Sequence, residues 1–390
     1  MSVLCVGCAK APELARLLSE RGTEIPKCPI CGTEKSLALE CDDNNLSQLF
    51  KALIRCYYRE WDYNHHWGGV DYIGLLFHVD NPILNYHGEI DLEELDLAVE
   101  ALTDQVYPDP DKGVSLFAGF YEQGDRLAFG DTLLEAPSYD ILSISAGLSR
   151  KNFFLLEEQG RHIIAKHEAQ IKRVIPVGSE YYRARSGYET TRRPIEGFDA
   201  PPHYQPYAKD KIGAPPPPIA TPGRMNRAGV SFLYVASDLD STIAELRPHP
   251  GEFLSVGQFR AKKDLVAADF TAISLYDFYR SEDELDIFVM LRTLDSLFKA
   301  KLTPQERDKY VITQFFADVI RQAGYDAVQF TSSVGTGTNL TVFDPDLFEY
   351  VPDSAKMYLI EDLKYISREL PVVRKDVSYF EYSQKVGKGA

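Results

Sequence analysis

Two cysteine pairs of one form, Cys5-Val-Gly-Cys8 and Cys28-Pro-Ile-Cys31-Gly, stand at the head of this chain with nineteen residues between them. They constrain the fold before any periodicity is read. Four thiolates at that spacing can close a tetrahedral site on Zn2+, tying two turns and the segment between them into one small unit. Gly32, directly after Cys31, permits the tight turn that aims the second pair inward. A closed four-cysteine site leaves no open coordination position, so Cys5, Cys8, Cys28 and Cys31 are expected to hold a structural metal. A redox CxxC would need only one pair. Between the pairs, Ala11 to Gly22 places Leu14, Leu17 and Leu18 on one face and ends in Gly, which predicts a short amphipathic helix. All six cysteines fall in the first sixty residues. A secreted disulfide scaffold would spread them through its loops, so Cys41 and Cys56 are read as small buried residues.

The remaining length exceeds one ordinary core and predicts two or three domains. With 44% hydrophobic and 26% charged residues, the composition is that of a water-soluble, core-forming chain. No run approaches the roughly 18 apolar residues of a membrane span, and Met1–Cys5 lacks a basic region followed by an apolar segment. A cytoplasmic protein with no membrane partner is expected. The net charge of −16 would repel phosphate backbones, so charge alone argues against nucleic acid as a partner.

Asp42 to about Gln105 reads as mostly helical, with an apolar stripe through Leu46, Leu49, Phe50, Leu53 and Ile54. Gly113 to Leu148 is ambiguous. Ser149 to Val174 reads as a helix-rich connector leading to the strand "IPVGSEYYRAR". The stretch "FDAPPHYQPYAKDKIGAPPPPIATPGR" then holds eight prolines and can be neither helix nor central strand. It is an interdomain linker or, as preferred here, a long active-site loop. Beyond it come a strand at Val230–Ser237, a helix capped by Asp238 and ended by Pro248, strands in "EFLSVGQFRAKKDLVAADFT", helical stretches at 282–300 and 304–324, and two short strands around "SVGTGTN". No repeat, P-loop or GxGxxG fingerprint is present.

Polar residues gather at element ends in this second half: Tyr182 and Arg183, Arg224, Tyr234, Glu245, Ser332 and Asn339. Two arginines can clamp a pyrophosphate through their forks. A carboxylate can stabilise the positive charge that develops on a ribose as its glycosidic bond breaks, or bond a ribose hydroxyl. Tyrosines can stack on a base. The set suits a nicotinamide-dinucleotide site that splits the cofactor without hydride transfer. Taken singly, a glutamate near a helix end is more often a solvated or capping residue, and a loop arginine ordinary surface charge.

The segments "YYRAR", "GRMNRAGVSFLYVASDLDSTIAEL" and "GYDAVQFTSSVGTGTNLTVF" resemble, in order, the three blocks of the RES domain family, whose members are toxins of RES–Xre toxin–antitoxin pairs, similar in structure to ADP-ribosyltransferases and depleting NAD+. The resemblance covers about the last two hundred residues. It implies that Arg183 and Arg224 are the family arginines, Tyr234 the strand tyrosine, Glu245 the glutamate and Ser332 the serine. Arg183, Glu245 and Ser332 would then be catalytic, and Tyr182, Arg183, Arg224, Tyr234, Ser332 and Asn339 would bind the NAD+ substrate. Three departures stand out. Met225 replaces an aromatic, Ser333 beside Ser332 leaves two readings of the serine, and the proline-rich insertion is longer than a minimal toxin needs.

The segment before it resembles the helical HEPN-type domain fused to some RES domains. HEPN ribonucleases pair an Arg with a His several residues later, as Arg59 and His65 do, where His could act as base and Arg could steady phosphate. His65 and His66 also suit a plain helix end, and His78 and His87 have no assignment. The expected fold class is α+β: a mixed-sheet, ADP-ribosyltransferase-like RES domain at 171–365, preceded by a mainly helical HEPN-like domain at 42–170 and a zinc ribbon or knuckle at 1–41, with a tail at 366–390. The expected activity is cleavage of NAD+ at the nicotinamide–ribose bond by water or phosphate, in toxin–antitoxin or anti-phage defence. Protein ADP-ribosylation, an RNase regulated by the RES domain, and NAD+ sensing without turnover stay open. A separate antitoxin or regulatory chain and a homo-oligomer are the partners left open.

Overall fold

The computed structural model describes residues 2–58, 76–85, 90–103, 106, 120–123, 126–129, 132–195, 200–301, 306, 309–364, 367–370 and 372. Arg59, His65, His66 and His87 lie outside them.

The chain opens with β1 (Val3–Cys5), α1 (Pro12–Arg21), β2 (Thr23–Lys27) and β3 (Glu34–Glu40), with β3 between its antiparallel partners β1 and β2. The predicted helix is present: Pro12 starts α1, and Leu14, Leu17 and Leu18 are buried. The small sheet beneath it was not foreseen, because β2 and β3 read "TEIPK" and "EKSLALE", too polar and broken for a strand signal.

Next come α2 (Asn44–Tyr57), α3 (Leu92–Thr103), the hairpin β4 (Phe120–Gln123) and β5 (Arg126–Phe129), α4 (Tyr139–Leu148), α5 (Phe154–Lys166) and α6 (Glu168–Ile171). Asp43 caps α2 by accepting from the Asn45 and Leu46 amides, as a short acid at that position does. The apolar stripe read from the sequence is the buried face of α2.

The remaining strands are β6 (Lys172–Ile175), β7 (Glu180–Ser186), the pair β8 (Thr190–Arg192) and β9 (His203–Gln205), then β10 (Leu233–Ala236). After α7 (Leu239–Leu246) come β11 (Phe253–Ala261), β12 (Leu265–Asp269), α8 (Glu282–Phe298), α9 (Val311–Gln322), β13 (Ala327–Thr331), β14 (Thr338–Val342), β15 (Phe348–Tyr350) and β16 (Lys356–Leu359). Nine strands form one sheet in the order β15-β11-β7-β10-β14-β13-β12-β6, with β16 also on β11. Of its pairings, β12–β13 is parallel and the others are antiparallel. The parallel pair requires a long crossover, and α8 and α9 supply it. The fold is α+β with a mixed sheet in the C-terminal region, as expected.

The two faces of the sheet have different covers. On one face, Phe270, Val328 and Phe330 pack with Phe298 of α8 and Phe315 and Phe316 of α9 in a core that continues without a break to α1, α2 and β1. On the other, Leu233, Val235, Leu340 and Val342 pack with Ile212, which is 0% exposed and comes from the proline-rich stretch. That stretch therefore covers the far face of the sheet, and its end at Gly223–Asn226 turns in beside the cavity described below.

The N-terminal half is fastened to this body by polar contacts as well. Lys51 and Arg55 of α2 pair with Glu282 of α8 at 2.9 and 2.5 Å. The Tyr276 hydroxyl donates to Glu20 at 2.7 Å, and the Arg16 guanidinium lies 4.1 Å from the Tyr276 ring centroid. Among the described residues, no helix is long and apolar enough to cross a membrane.

Candidate functional site

A cavity of about 560 Å3 opens between α7, the strands β7, β10, β13 and β14, and the Gly223–Arg224 loop. This lies in the size range of small-molecule sites. Its floor is a single row across the sheet: Phe330 pairs with Asn339, Asn339 with Ala236, and Ala236 with Tyr182. Residues facing one another across neighbouring strands share a face, so three segments far apart in sequence present side chains to one space.

Glu245 reaches it from α7. Asp238 starts that helix by accepting from the Ser241 amide at 2.8 Å. Burial pushes its carboxyl up, but hydrogen bonds from Ser241 and Ser237 outweigh it and leave the carboxyl below its ordinary value. Helical spacing then puts Thr242, Glu245 and Leu246 on the cavity side. One carboxylate oxygen of Glu245, Oε1, accepts from Ser332 Oγ at 2.9 Å and from Asn339 Nδ2 at 2.6 Å. Both donors are nearly buried, at 6% and 9% exposure. Among the described residues nothing bonds Oε2. The glutamate is held by one oxygen and offers the other.

Ser332 stands behind Glu245 instead of lining the cavity, and it is itself held: its Oγ accepts from the amides of Gly335 at 3.0 Å and Val334 at 3.3 Å. Ser333 makes no such contact, and its buried Oγ has no partner among the described residues. The loop that carries them is pressed against the start of α7. A Cβ on Gly335 would lie 2.3 Å from Ser241 Oγ and 2.6 Å from Ser241 Cα, so no side chain fits there.

Arg183 fills the place where β7 and β10 part, since their pairing is confined to Ala236 and Tyr182. Its Nε donates to the Ile212 carbonyl and its Nη1 to the Tyr234 carbonyl, both at 2.7 Å. Burial lowers its pKa to about 10. The guanidinium is still charged at neutral pH, but as a desolvated cation it favours an incoming anion.

Arg224 also lines the cavity, with both terminal nitrogens turned to the C-terminal end of α8: Nη1 donates to the Phe298 carbonyl and Nη2 to the Ala300 carbonyl at 3.1 Å. A cation there meets the negative end of the helix dipole. Tyr234 orders the same loop. Its hydroxyl donates to Asn226 Oδ1 at 2.7 Å and accepts from the Met225 amide at 3.1 Å; burial raises its pKa to about 12. Buried Asn226 donates in turn to the Thr221 and Val230 carbonyls, and Gln314 of α9 donates to the Gly223 carbonyl.

The sequence-derived residues thus converge with different duties. Tyr182, Arg183, Arg224, Tyr234, Glu245 and Asn339 line one cavity, and Ser332 supports Glu245 from behind. Arg224 and Tyr234 hold the loop as well as face the space. The sequence reading missed Tyr310 and Arg247, which also line it. Arg247 adopts a left-handed backbone, φ 49° and ψ 52°, directly before Pro248. Both are disfavoured for a side-chain-bearing residue, by about 1–2 kcal/mol for the handedness alone. An Arg-Pro pair closing a helix is the sequence signal that could have flagged it.

At the other end of the chain, the Sγ atoms of Cys5, Cys8, Cys28 and Cys31 all lie within 4.8 Å of one another. Cys5–Cys8 and Cys8–Cys28 are 3.7 Å apart and Cys5–Cys31 is 3.4 Å. A tetrahedral ion with bonds of about 2.3 Å to sulfur sets its ligands roughly 3.8 Å apart, so the four thiols fit a metal ion. The turns suit it: Gly32 has φ 70°, and a Cβ on Gly7 would lie 2.6 Å from Thr33 Oγ1. The first turn is braced from outside. The Asn85 amide donates to the Cys8 carbonyl and its side chain to the Gly7 and Ala9 carbonyls.

Residues 196–361, less than half of the chain, match the family described as "RES domain". Arg224, Tyr234, Glu245, Ser332 and Asn339 fall inside the match, whereas Tyr182 and Arg183 precede it on β7, in the same sheet. No curated protein matches. Among solved structures, a chain from the crystal structure of the M. tuberculosis MbcT–MbcA toxin–antitoxin complex aligns at 10% identity, covering 51% of this chain and 92% of that one, with a TM-score of 0.29.

Proposed function

We propose that this chain is an NAD+-degrading enzyme of the toxin type, cleaving the nicotinamide–ribose bond in the cavity between α7 and the sheet. The observation that carries the reading is the charge of the cavity. Among the described residues it is lined by three arginines and one glutamate, in a chain of net charge −16. Such a pocket selects an anion, and its single carboxylate is held by one oxygen so that the other faces the ligand.

In this reading the arginines take the pyrophosphate, and Glu245 Oε2 stabilises the positive charge that builds on the ribose as nicotinamide leaves with the bonding electron pair. An oxygen of water or phosphate then bonds to the ribose carbon, and the acceptor's proton is released. Ser332 and Asn339 act by fixing Glu245. The RES match, together with the resemblance of the three sequence blocks, supports NAD+ as the dinucleotide and a separate antitoxin as the restraining partner. The four cysteines hold a structural Zn2+ whose contribution is to folding.

The test is NAD+ consumption by purified protein, with and without phosphate, comparing wild type with Glu245→Ala and Arg183→Ala. Nicotinamide release abolished by both substitutions is the expected result, and the phosphate dependence names the acceptor. NAD+ left intact by the wild-type protein would overturn the reaction.

A further inference from the structure

The aromatic side chains that line the cavity are Tyr182, Tyr234, Tyr310 and Phe330, and they are differently engaged. Tyr234 gives its hydroxyl to Asn226 and accepts the Met225 amide, so it serves the loop. Phe330 is 3% exposed, with its ring centroid 6.2 Å from that of Phe298 and 5.8 Å from the Arg224 guanidinium carbon. Tyr182 and Tyr310 are half-buried, and among the described residues their side chains make no hydrogen bond, aromatic contact or cation contact. Their backbones are fixed all the same. Tyr182 pairs with Ala236 in the sheet. Tyr310 stands directly before α9, whose first turn is docked on the cavity loop: Thr313 Oγ1 donates to the Arg224 carbonyl and to the Tyr310 carbonyl, and Gln314 donates to the Gly223 carbonyl at 2.8 Å. A tyrosine on so fixed a backbone offers a flat, amphipathic face at little entropic cost. The two rings also flank Glu245, which Asn339 of β14 holds. Tyr182 lies at the β7 end of the floor row, and Tyr310 beside the loop whose Arg224 covers Phe330, at the β13 end. Four strands span about 14 Å, and a dinucleotide carries a planar ring at each end.

We infer that the Tyr310 ring is a stacking platform for a planar heteroaromatic ring of the substrate, and so a specificity-determining residue of this pocket. The inference rests on the proposed dinucleotide reading for its ligand and goes beyond it in assigning the ring contact. The stacked ring could be the nicotinamide or the adenine, which share this chemistry.

Wild type, Tyr310→Ala, Tyr310→Leu and Tyr310→Phe are to be titrated with nicotinamide and with ADP-ribose, two products that the proposed reaction does not consume, and with ribose 5-phosphate as a ligand without an aromatic ring. The expected result is binding of one ring-bearing ligand weakened at least about fivefold in Tyr310→Ala, weakened also in Tyr310→Leu, which keeps bulk without a π face, and kept within about twofold in Tyr310→Phe, with ribose 5-phosphate unchanged. Loss for nicotinamide assigns the platform to that ring, and loss for ADP-ribose assigns it to the adenine. Equal affinities in wild type and Tyr310→Ala, an equal loss for ribose 5-phosphate, a loss in Tyr310→Phe as large as in Tyr310→Ala, or no binding of either ring-bearing ligand by wild type would overturn the inference. A ring-selective loss in a protein that leaves NAD+ intact would sink the proposed reaction and leave this contact standing. NAD+ turnover with an unchanged Michaelis constant in Tyr310→Ala would do the reverse.

Discussion

Asn339→Ala separates two roles that the sequence alone could not. As a substrate contact, Asn339 would affect the Michaelis constant. As a clamp on Glu245, it would affect turnover. The amide donates to Glu245 Oε1 at 2.6 Å, from a side chain 9% exposed. A buried hydrogen bond to a charged acceptor contributes about 1.5–3 kcal/mol. Without it the carboxylate keeps only the Ser332 bond on the protein side and can swing Oε2 away from the ligand. At about 1.36 kcal/mol per tenfold in rate, kcat should fall roughly ten- to 150-fold if the whole of that contact is spent on aim. The Michaelis constant for NAD+ should stay within about threefold. Asn339→Asp should be worse, because it replaces a donor with a second carboxylate at that distance. Nicotinamide release under initial-rate conditions gives both constants, and a thermal melt checks folding. An alanine variant with kcat within twofold of wild type would refute the positioning argument, and a rise in the Michaelis constant with kcat unchanged would restore the substrate-contact role.

The remaining predictions concern the scaffold. Cys28→Ser should lower bound zinc below one equivalent by elemental analysis, and chelation of the wild-type protein should lower its melting temperature by several degrees, since a structural ion contributes directly to folding. Gly335→Ala should cost about 1–3 kcal/mol in urea unfolding and reduce turnover, because its Cβ meets the Ser241 backbone and pushes Ser332 from Glu245. Glu282 is pushed up by burial but pulled down further by Arg55 and Lys51, so its carboxyl sits below the ordinary value. The stability it supplies is present above the unfolded carboxylate value and is lost as pH falls through the depressed one. Glu282→Gln should therefore be less stable than wild type by up to about 1 kcal/mol at neutral pH, with the difference vanishing in acid, as read by denaturant midpoints across pH.

What could be read from the sequence followed the range of the forces involved. α1, α2 and α7 were legible because their signals are local: apolar spacing and a closing Gly for α1, an apolar stripe for α2, and a cap at Asp238 with Pro248 beyond for α7. The four cysteines were legible because their spacing is their geometry. Where the proline-rich stretch goes was not, since a segment without periodicity carries no address; only the seating of Ile212 against Leu233 and Leu340 shows that it covers the far face. The duties within the cavity were hidden for a related reason. Residue types named Arg224 a phosphate ligand, but its nearest acceptors are carbonyls 74 and 76 residues further along the chain.

That last contact ties the chemistry to the scaffold. The Arg224 loop is fixed by the end of α8, and the start of α8 is fixed through Glu282 to Lys51 and Arg55 of α2. The segment leading into α8 is gripped by α1 through Tyr276, and α1 leaves directly from the cysteine-bearing turn at Cys8. One helix therefore has the pocket loop at its C-terminal end and the N-terminal half at the other. A perturbation that loosens the cysteine turn has a route to the cavity in a shift of α8 along its axis, because a packed helix moves more readily as a unit than it bends. Loss of the metal should then weaken the placement of Arg224 before that of Glu245, whose two donors, Ser332 and Asn339, belong to the sheet side and touch neither α1 nor α8 through any hydrogen bond among the described residues.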